Sequence, residues 1–301
     1  MRAASRLALL LAAWPCSGPA QELEPRFYSN VPVGVNVLVA GYAYSEGSVL
    51  VDPSLALDNA DLAIDGPYVG YARSMSIGGR TGKFDVGIAN ACIDGSAEFE
   101  GEPVSRKVCG WSDAKLRFSL NFLGSPALSP REFAAYEQDL VMGATLLLSA
   151  PIGRYDPERL VNIGTNRWSA RTELGMSKGL ERWLLEASVS ASFYETNSDF
   201  FGGRRRKQDP IYAFQAHVVR RLNRGVWVAL DYIRYRGGQT ETEGLADANL
   251  QSNARVGFTL SVPVARRHTL RLSASSGLLT RTGTDFDTIG LSWAYIWGRG
   301  V

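Results

Sequence analysis

Residues 287–297 alternate strictly: Ile289, Leu291, Trp293, Tyr295 and Trp297 form one bulky apolar row, and Gly290, Ser292 and Ala294 a small row between them. That period of two is a β-strand pattern. A final strand this bulky on one side, left as a free edge, would recruit other chains through its unpaired backbone groups. Pairing the last strand with the first removes the edge. The bulky row can then face outward, provided the surroundings are hydrocarbon.

The rest of the chain supplies further staves. Residues 34–45 and 68–76 read as the first two strands, the second running into a glycine-rich turn at 78–82. In the third, Phe84, Val86 and Ile88 alternate with Asp85, Gly87 and Ala89. The fourth, at 113–122, sets Leu116, Phe118, Leu120 and Phe122 against Lys115, Arg117, Ser119 and Asn121. Later strands are predicted over 140–148, 165–177, 183–193, 211–219, 226–235, 251–262 and 270–278. Opposite their bulky rows stand Arg171, Glu173, Glu186, His217, Trp227, Asp231, Arg255 and Arg271.

Alternation alone also suits a soluble two-sheet protein, which would bury the same large side chains. Two features favour a transmembrane antiparallel up-and-down β-barrel of about 12 strands. The first is charge in mid-strand on the small face, which fits a polar lumen where opposite signs pair across strands. The second is loop asymmetry. Connections at 46–65, 92–109, 151–164, 194–210, 237–248 and 280–287 are longer and polar, and those between them are short. The exception is 123–138, where Ser129 caps a short helix expected over 131–137. Trp168, Trp183, Phe193, Tyr212, Tyr232 and Trp297 lie near strand ends, as interfacial girdles require.

Residues 1–20 read as a secretory signal: Arg2 and Arg6 precede an apolar run at 7–14, and Gly18 and Ala20 fit a cleavage site. Domain organisation is then a signal over 1–20 and one outer-membrane barrel over 21–301. Beyond the signal, no apolar stretch approaches the roughly 20 residues of a membrane-crossing helix. Residues 21–32, polar and proline-punctuated, are expected in the periplasm or in the barrel mouth. With Cys16 in the signal, Cys92 and Cys109 remain, and an even count in a secreted chain predicts a disulfide pinching the base of an acidic loop. No histidine or zinc-module spacing accompanies them, so no metal or cofactor is expected. Thirty-two basic against 30 acidic residues leave no field for nucleic acid. The local cluster Arg204, Arg205, Arg206 and Lys207 reads as a solvated loop, or as a contact for anionic headgroups or sugars.

Three segments carry a family resemblance: Tyr28-Ser-Asn-Val-Pro-Val-Gly-Val-Asn36, Tyr68-Val-Gly-Tyr-Ala-Arg73 before its glycine-rich turn, and Leu116-Arg-Phe-Ser-Leu-Asn-Phe-Leu-Gly124 with Ser-Pro-Arg-Glu-Phe133. The chain resembles the bacterial outer-membrane family of transporters of the meta-pathway of phenol degradation, over nearly the whole mature length. The resemblance implies an outer-membrane location, handling of small solutes and no catalytic signature. In departure from the usual aromatic end of such barrels, this chain runs on through Gly298-Arg-Gly-Val301.

The leading functional expectation is a porin-like channel for small, aromatic or hydrophobic molecules. Its path would be lined by Asp85, Arg117, Asn121, Arg171, Glu173, Glu186, His217, Trp227, Asp231, Arg255 and Arg271, with Ile233 and Tyr235 extending an apolar track. Expected partners are outer-membrane lipid and lipopolysaccharide, the barrel-assembly machinery and the solute. The alternative is a plugged structural or surface-recognition barrel displaying its loops. An enzyme is disfavoured, because only His217 and His268 could serve as a base and neither stands in a nucleophile spacing.

Overall fold

The computed structural model describes residues 23–50, 57–99 and 102–298. The expected signal at 1–20, Cys16 and the chain end after Gly298 lie outside the described residues. No described helix is long and apolar enough to cross a membrane. The strands are β1 (Val35–Leu50), β2 (Leu57–Ile77), β3 (Arg80–Phe99), β4 (Glu102–Trp111), β5 (Ala114–Leu123), β6 (Leu140–Ala150), β7 (Ser169–Leu180), β8 (Trp183–Tyr194), β9 (Asn197–Phe200), β10 (Arg204–Gln208), β11 (Ile211–Arg221), β12 (Trp227–Gly237), β13 (Thr240–Thr242), β14 (Leu245–Ala246), β15 (Gln251–Ala265), β16 (His268–Leu279) and β17 (Gly283–Gly298).

Twelve of them close an antiparallel barrel, in the order β1, β2, β3, β5, β6, β7, β8, β11, β12, β15, β16, β17. The seam is the expected one. β1 pairs with β17 from Val35↔Gly298 to Leu50↔Gly283, so the bulky last strand has no free edge. Exposure sorts the two faces. Leu230 (65%), Leu174 (58%) and Phe118 (53%) lie bare on the outside, whereas Arg117 and Arg171 (3% each) and Asp231 (4%) are buried inside. A soluble core would have the opposite arrangement. An outer surface this apolar is stable only against lipid. Of the predicted girdle residues, Trp168, Trp183, Phe193 and Tyr212 are exposed, and Tyr232 and Trp297 are half-buried.

At one end the turns are tight, with residues 78–79 joining β2 to β3 and 266–267 joining β15 to β16. Gly78 and Gly79 both take positive φ (56° and 75°), which a two-residue hairpin of this hand demands. This end also carries the expected helix, shorter than predicted, as α1 (Pro130–Phe133). Ser129 accepts the Glu132 N–H, and the Glu132 carboxylate accepts from Ser129 in return. Those bonds hold the Glu132 carboxyl below its ordinary value.

At the opposite end the structure corrects several expected loops. The polar segment 46–65 is mostly ladder: β1 reaches Leu50, β2 starts at Leu57, and Ser48 pairs with Asp61. Residues 93–99 and 102–108 pair as a ladder between β3 and β4, with Cys92 directly opposite Cys109. The two are disulfide-bonded as expected, although they clamp a ladder and not an open loop. The basic cluster is strand β10, paired with β9 and β13 in a separate four-stranded sheet completed by β14. β17 begins at Gly283, where a loop to 287 was predicted. The cause is common to all four. Above the bilayer both faces of a strand meet water, so the hydrophobic alternation that marks a strand is lost while backbone pairing continues.

β1, β2, β3 and β17 are 16, 21, 20 and 16 residues long, against 10–12 for β5 to β8, so one wall stands taller beyond the membrane. Because the ladder already fixes the hairpin's register, reduction of Cys92–Cys109 is expected to leave the barrel's thermal transition unchanged. It should raise cleavage by an added protease within 93–108, read by mass spectrometry of the fragments.

Candidate functional site: the lumen and its N-terminal plug

The lumen expected to be wet is occupied. Residues 23–34 enter from the short-turn end and run up the inside of the barrel, where Glu24, Arg26, Tyr28, Ser29, Asn30 and Val31 are all buried. Their entry is fixed by backbone bonds from Val33 N–H to Leu128 and from Gly34 N–H to Ser74. Deeper in, Asn30 Nδ2 donates to the Pro126 carbonyl (3.3 Å), and Asn121 Nδ2 donates to the Tyr28 carbonyl (3.3 Å).

Three of the inward charges predicted from sequence, Arg117, Glu173 and Glu186, grip this segment. Arg117, paired with Asp85 at 3.2 Å across the β3–β5 ladder, also binds the Glu24 carboxylate. Glu186 accepts from the Arg26 backbone N–H and, at 3.1 Å, from the Ser29 hydroxyl. Lys83 donates to the Phe27 carbonyl, and the Phe27 ring lies between Lys83 (4.1 Å) and the Arg117 guanidinium (4.2 Å). Trp227, fully buried, is flanked by the guanidinium groups of Arg26 (5.4 Å) and Arg271 (5.1 Å). Arg26 itself sits at φ 70°, a left-handed conformation that costs a non-glycine residue on the order of 1 kcal/mol and is kept here by the contacts around it.

Tyr28 is the best-seated residue. Its ring lies on Gly143 and Gly175, which pair directly across β6 and β7. A Cβ on Gly175 would stand 2.0 Å from the ring, and one on Gly143 2.8 Å. Phe27 meets the ring edge-on at 5.1 Å. The phenol hydroxyl donates to Glu173 Oε1 at 2.9 Å and lies 3.1 Å from Thr145 Oγ1. Seated against the Glu173 carboxylate, the buried Tyr28 hydroxyl serves as the donor. The sequence reading allowed residues 21–32 in the barrel mouth; it lacked the depth of their entry and the glycine slot. The available signal was two glycines at inward positions of adjacent strands, next to Thr145 and Glu173.

Away from the plug, His217 Nδ1 is 2.7 Å from Asp231 Oδ1, and Thr259 donates to the other oxygen of Asp231 (3.0 Å). Among the described residues no hydroxyl or thiol hydrogen-bonds His217, so the pair stands without a nucleophile. Arg255 donates to Ser275 (3.0 Å) and to the Phe286 carbonyl (2.7 Å). The residues of the expected apolar track are packed in two patches: Ile233 and Tyr235 join Ile211, Ala213 and Leu23 of the plug, while Trp227 joins Leu184, Val219 and Ala229. Among the described residues no group of three or more potential ligands could hold a metal ion.

A sequence profile described as "Putative MetA-pathway of phenol degradation" matches residues 76–295. The chain belongs to this family. An outer membrane channel from Pseudomonas putida F1 is similar in structure, with TM-score 0.76 at 20% identity over 92% of this chain and 100% of that one. The transport unit of the autotransporter AIDA-I from Escherichia coli superposes with TM-score 0.50 at 8% identity, over 87% and 90% of the two chains. Such distant likenesses establish the fold, and the apolar outer belt of this closed barrel places the family member in the bacterial outer membrane. No curated protein matches the chain.

Proposed function

We propose that the protein is an outer-membrane channel for small molecules, held closed by residues 23–34 and opened when that segment leaves the lumen. The supporting observation is the chemistry of the plug's contacts. Beside the apolar burial of Leu23, Tyr28 and Val31, its hold on Arg117, Glu186, Glu173 and Lys83 consists of charge-assisted hydrogen bonds and ion pairs, each worth about 1.5–3 kcal/mol net, that water can replace once the segment leaves. A segment packed by apolar burial alone could not withdraw so readily. The path would then be lined by Asp85, Arg117, Asn121, Arg171, Glu173, Glu186, His217, Trp227, Asp231, Arg255 and Arg271. Lipopolysaccharide contacts at the outer rim and insertion by the barrel-assembly machinery belong to the same reading. No catalytic role is proposed.

With the plug withdrawn, Lys83, Arg117, Arg171, Arg255 and Arg271 face Asp85, Glu173, Glu186 and Asp231, so the charges nearly cancel. Open events in planar bilayers are expected to discriminate weakly between anions and cations. Arg117→Gln should move the reversal potential toward cation preference, and an unmoved potential would place Arg117 off the path. The burial of the plug equally favours a second reading, a permanently closed barrel that displays its loops. That reading is separated by recording from a variant whose plug cannot seat, for which it requires silence.

A further inference from the structure

Resting on the channel reading, we propose that the slot now filled by Tyr28 is a binding site for hydroxylated aromatic molecules, vicinal diols of the catechol type above all, and that such a ligand opens the channel by taking the place of Tyr28.

Beyond its Cβ, Tyr28 is a phenol. The slot therefore already binds that chemistry: a flat floor of two facing glycines, and Glu173 and Thr145 at the hydroxyl end, all carried by the barrel wall. A free phenol can present the same atoms to the same groups. It starts at a disadvantage, because the tether gives Tyr28 an effective concentration on the order of millimolar.

One atom in the slot points to the ligand that overcomes this. Glu173 accepts the Tyr28 hydroxyl through Oε1, while its Oε2 is buried without a hydrogen-bond partner among the described residues. Tyrosine has no second donor to offer. The two oxygens of one carboxylate are spaced much as two adjacent ring hydroxyls are, so an ortho-diol donates to both. A hydrogen bond to a charged group that relieves a buried orphan is worth about ten- to a hundredfold in affinity. A diol gains this advantage over both a simple phenol and Tyr28 itself. Once the ring of Tyr28 is displaced, the segment loses its tightest seat and is held by polar contacts that water can replace and by the smaller apolar burial of Leu23 and Val31.

The test is single-channel recording of the wild-type protein in planar bilayers with added catechol, phenol or toluene. Catechol is expected to raise the open probability, with half-effect at a concentration at least about tenfold below that for phenol, and toluene, which has no donor, to do nothing. Glu173→Gln should bring catechol and phenol within about twofold of each other, since one acceptor oxygen is gone. In calorimetry, catechol should bind the wild type and fail to bind Gly175→Val, whose slot is filled. Equal responses to catechol and toluene, or undiminished catechol binding by Gly175→Val, would overturn the proposal. If Gly175→Val conducts while the wild type ignores catechol, this inference alone fails. If neither conducts, the channel reading fails with it.

Discussion

Gly175→Val is expected to hold the pore open. A Cβ at this position falls 2.0 Å from the Tyr28 ring, inside any tolerable contact, and valine adds two methyl groups beyond it. The strand cannot yield, because β7 is hydrogen-bonded along its length to β6 and β8. The tyrosine must leave instead. Overpacking of this kind costs about 1–3 kcal/mol in a seat that can relax and more where it cannot. At 1.4 kcal/mol per factor of ten, the plugged state loses about ten- to a hundredfold in population, and mean conductance at fixed voltage should rise by at least about tenfold. The barrel itself should survive, since valine suits a strand and the change faces the lumen, away from lipid. Unchanged heat-dependent gel migration would confirm this. A folded variant as quiet as the wild type would show that the lumen is closed by something other than Tyr28 and its segment.

Tyr28→Ala tests the same seat from the other side. It removes the ring, the bond to Glu173 and the bond to Thr145, while Gly143 and Gly175 stay bare. Its effect on conductance should be of the same sign, and adding it to Gly175→Val should change little, because the two substitutions abolish one shared contact.

The outer wall was legible in the sequence because lipid imposes a rule that every spanning strand obeys. Phe118, Leu174, Val189 and Ile289 recur at alternate positions, and the small or charged residues between them had nowhere to go but inward. The seam of β1 on β17 followed from the same rule. Outside the bilayer the rule lapses. Ser48 and Asp61, or Arg206 and Thr242, pair as ladder partners with no hydrophobic row to betray them. The plug was legible only as one alternative, for a different reason. Residues 23–34 have no regular structure of their own, and their path is set by contacts from β3, β5, β6, β7, β8 and β12, which are far away in sequence. A charged inward face could be read as wet or as filled. Only the position of Glu24 against Arg117, and of Ser29 against Glu186, separates the two.

The assignment of inside and outside carries the second large effect. Leu174 stands midway along β7 and is 58% exposed on the outer face, with Trp168 near one end of the strand and Lys178 toward the other. On a water-soluble protein, leucine to arginine at so exposed a position falls within about ±0.5 kcal/mol. Facing the middle of a bilayer, the same change must take a guanidinium into hydrocarbon. Leu174→Arg is therefore expected to destabilise the folded barrel by about 2–4 kcal/mol, and Leu174→Ala by far less. The measurement is equilibrium unfolding in denaturant from lipid vesicles, with the midpoint and slope compared across the three proteins. The arginine penalty should fall when the same substitution is moved toward the rim, for example to Phe193, since depth sets the cost. A penalty near zero at Leu174 would mean that the bulky rows face water, and the barrel would then have to be inverted or soluble. A large, depth-graded penalty fits only an apolar belt in contact with lipid, with the charges of Arg171 and Glu173 turned to the other side of the same strand.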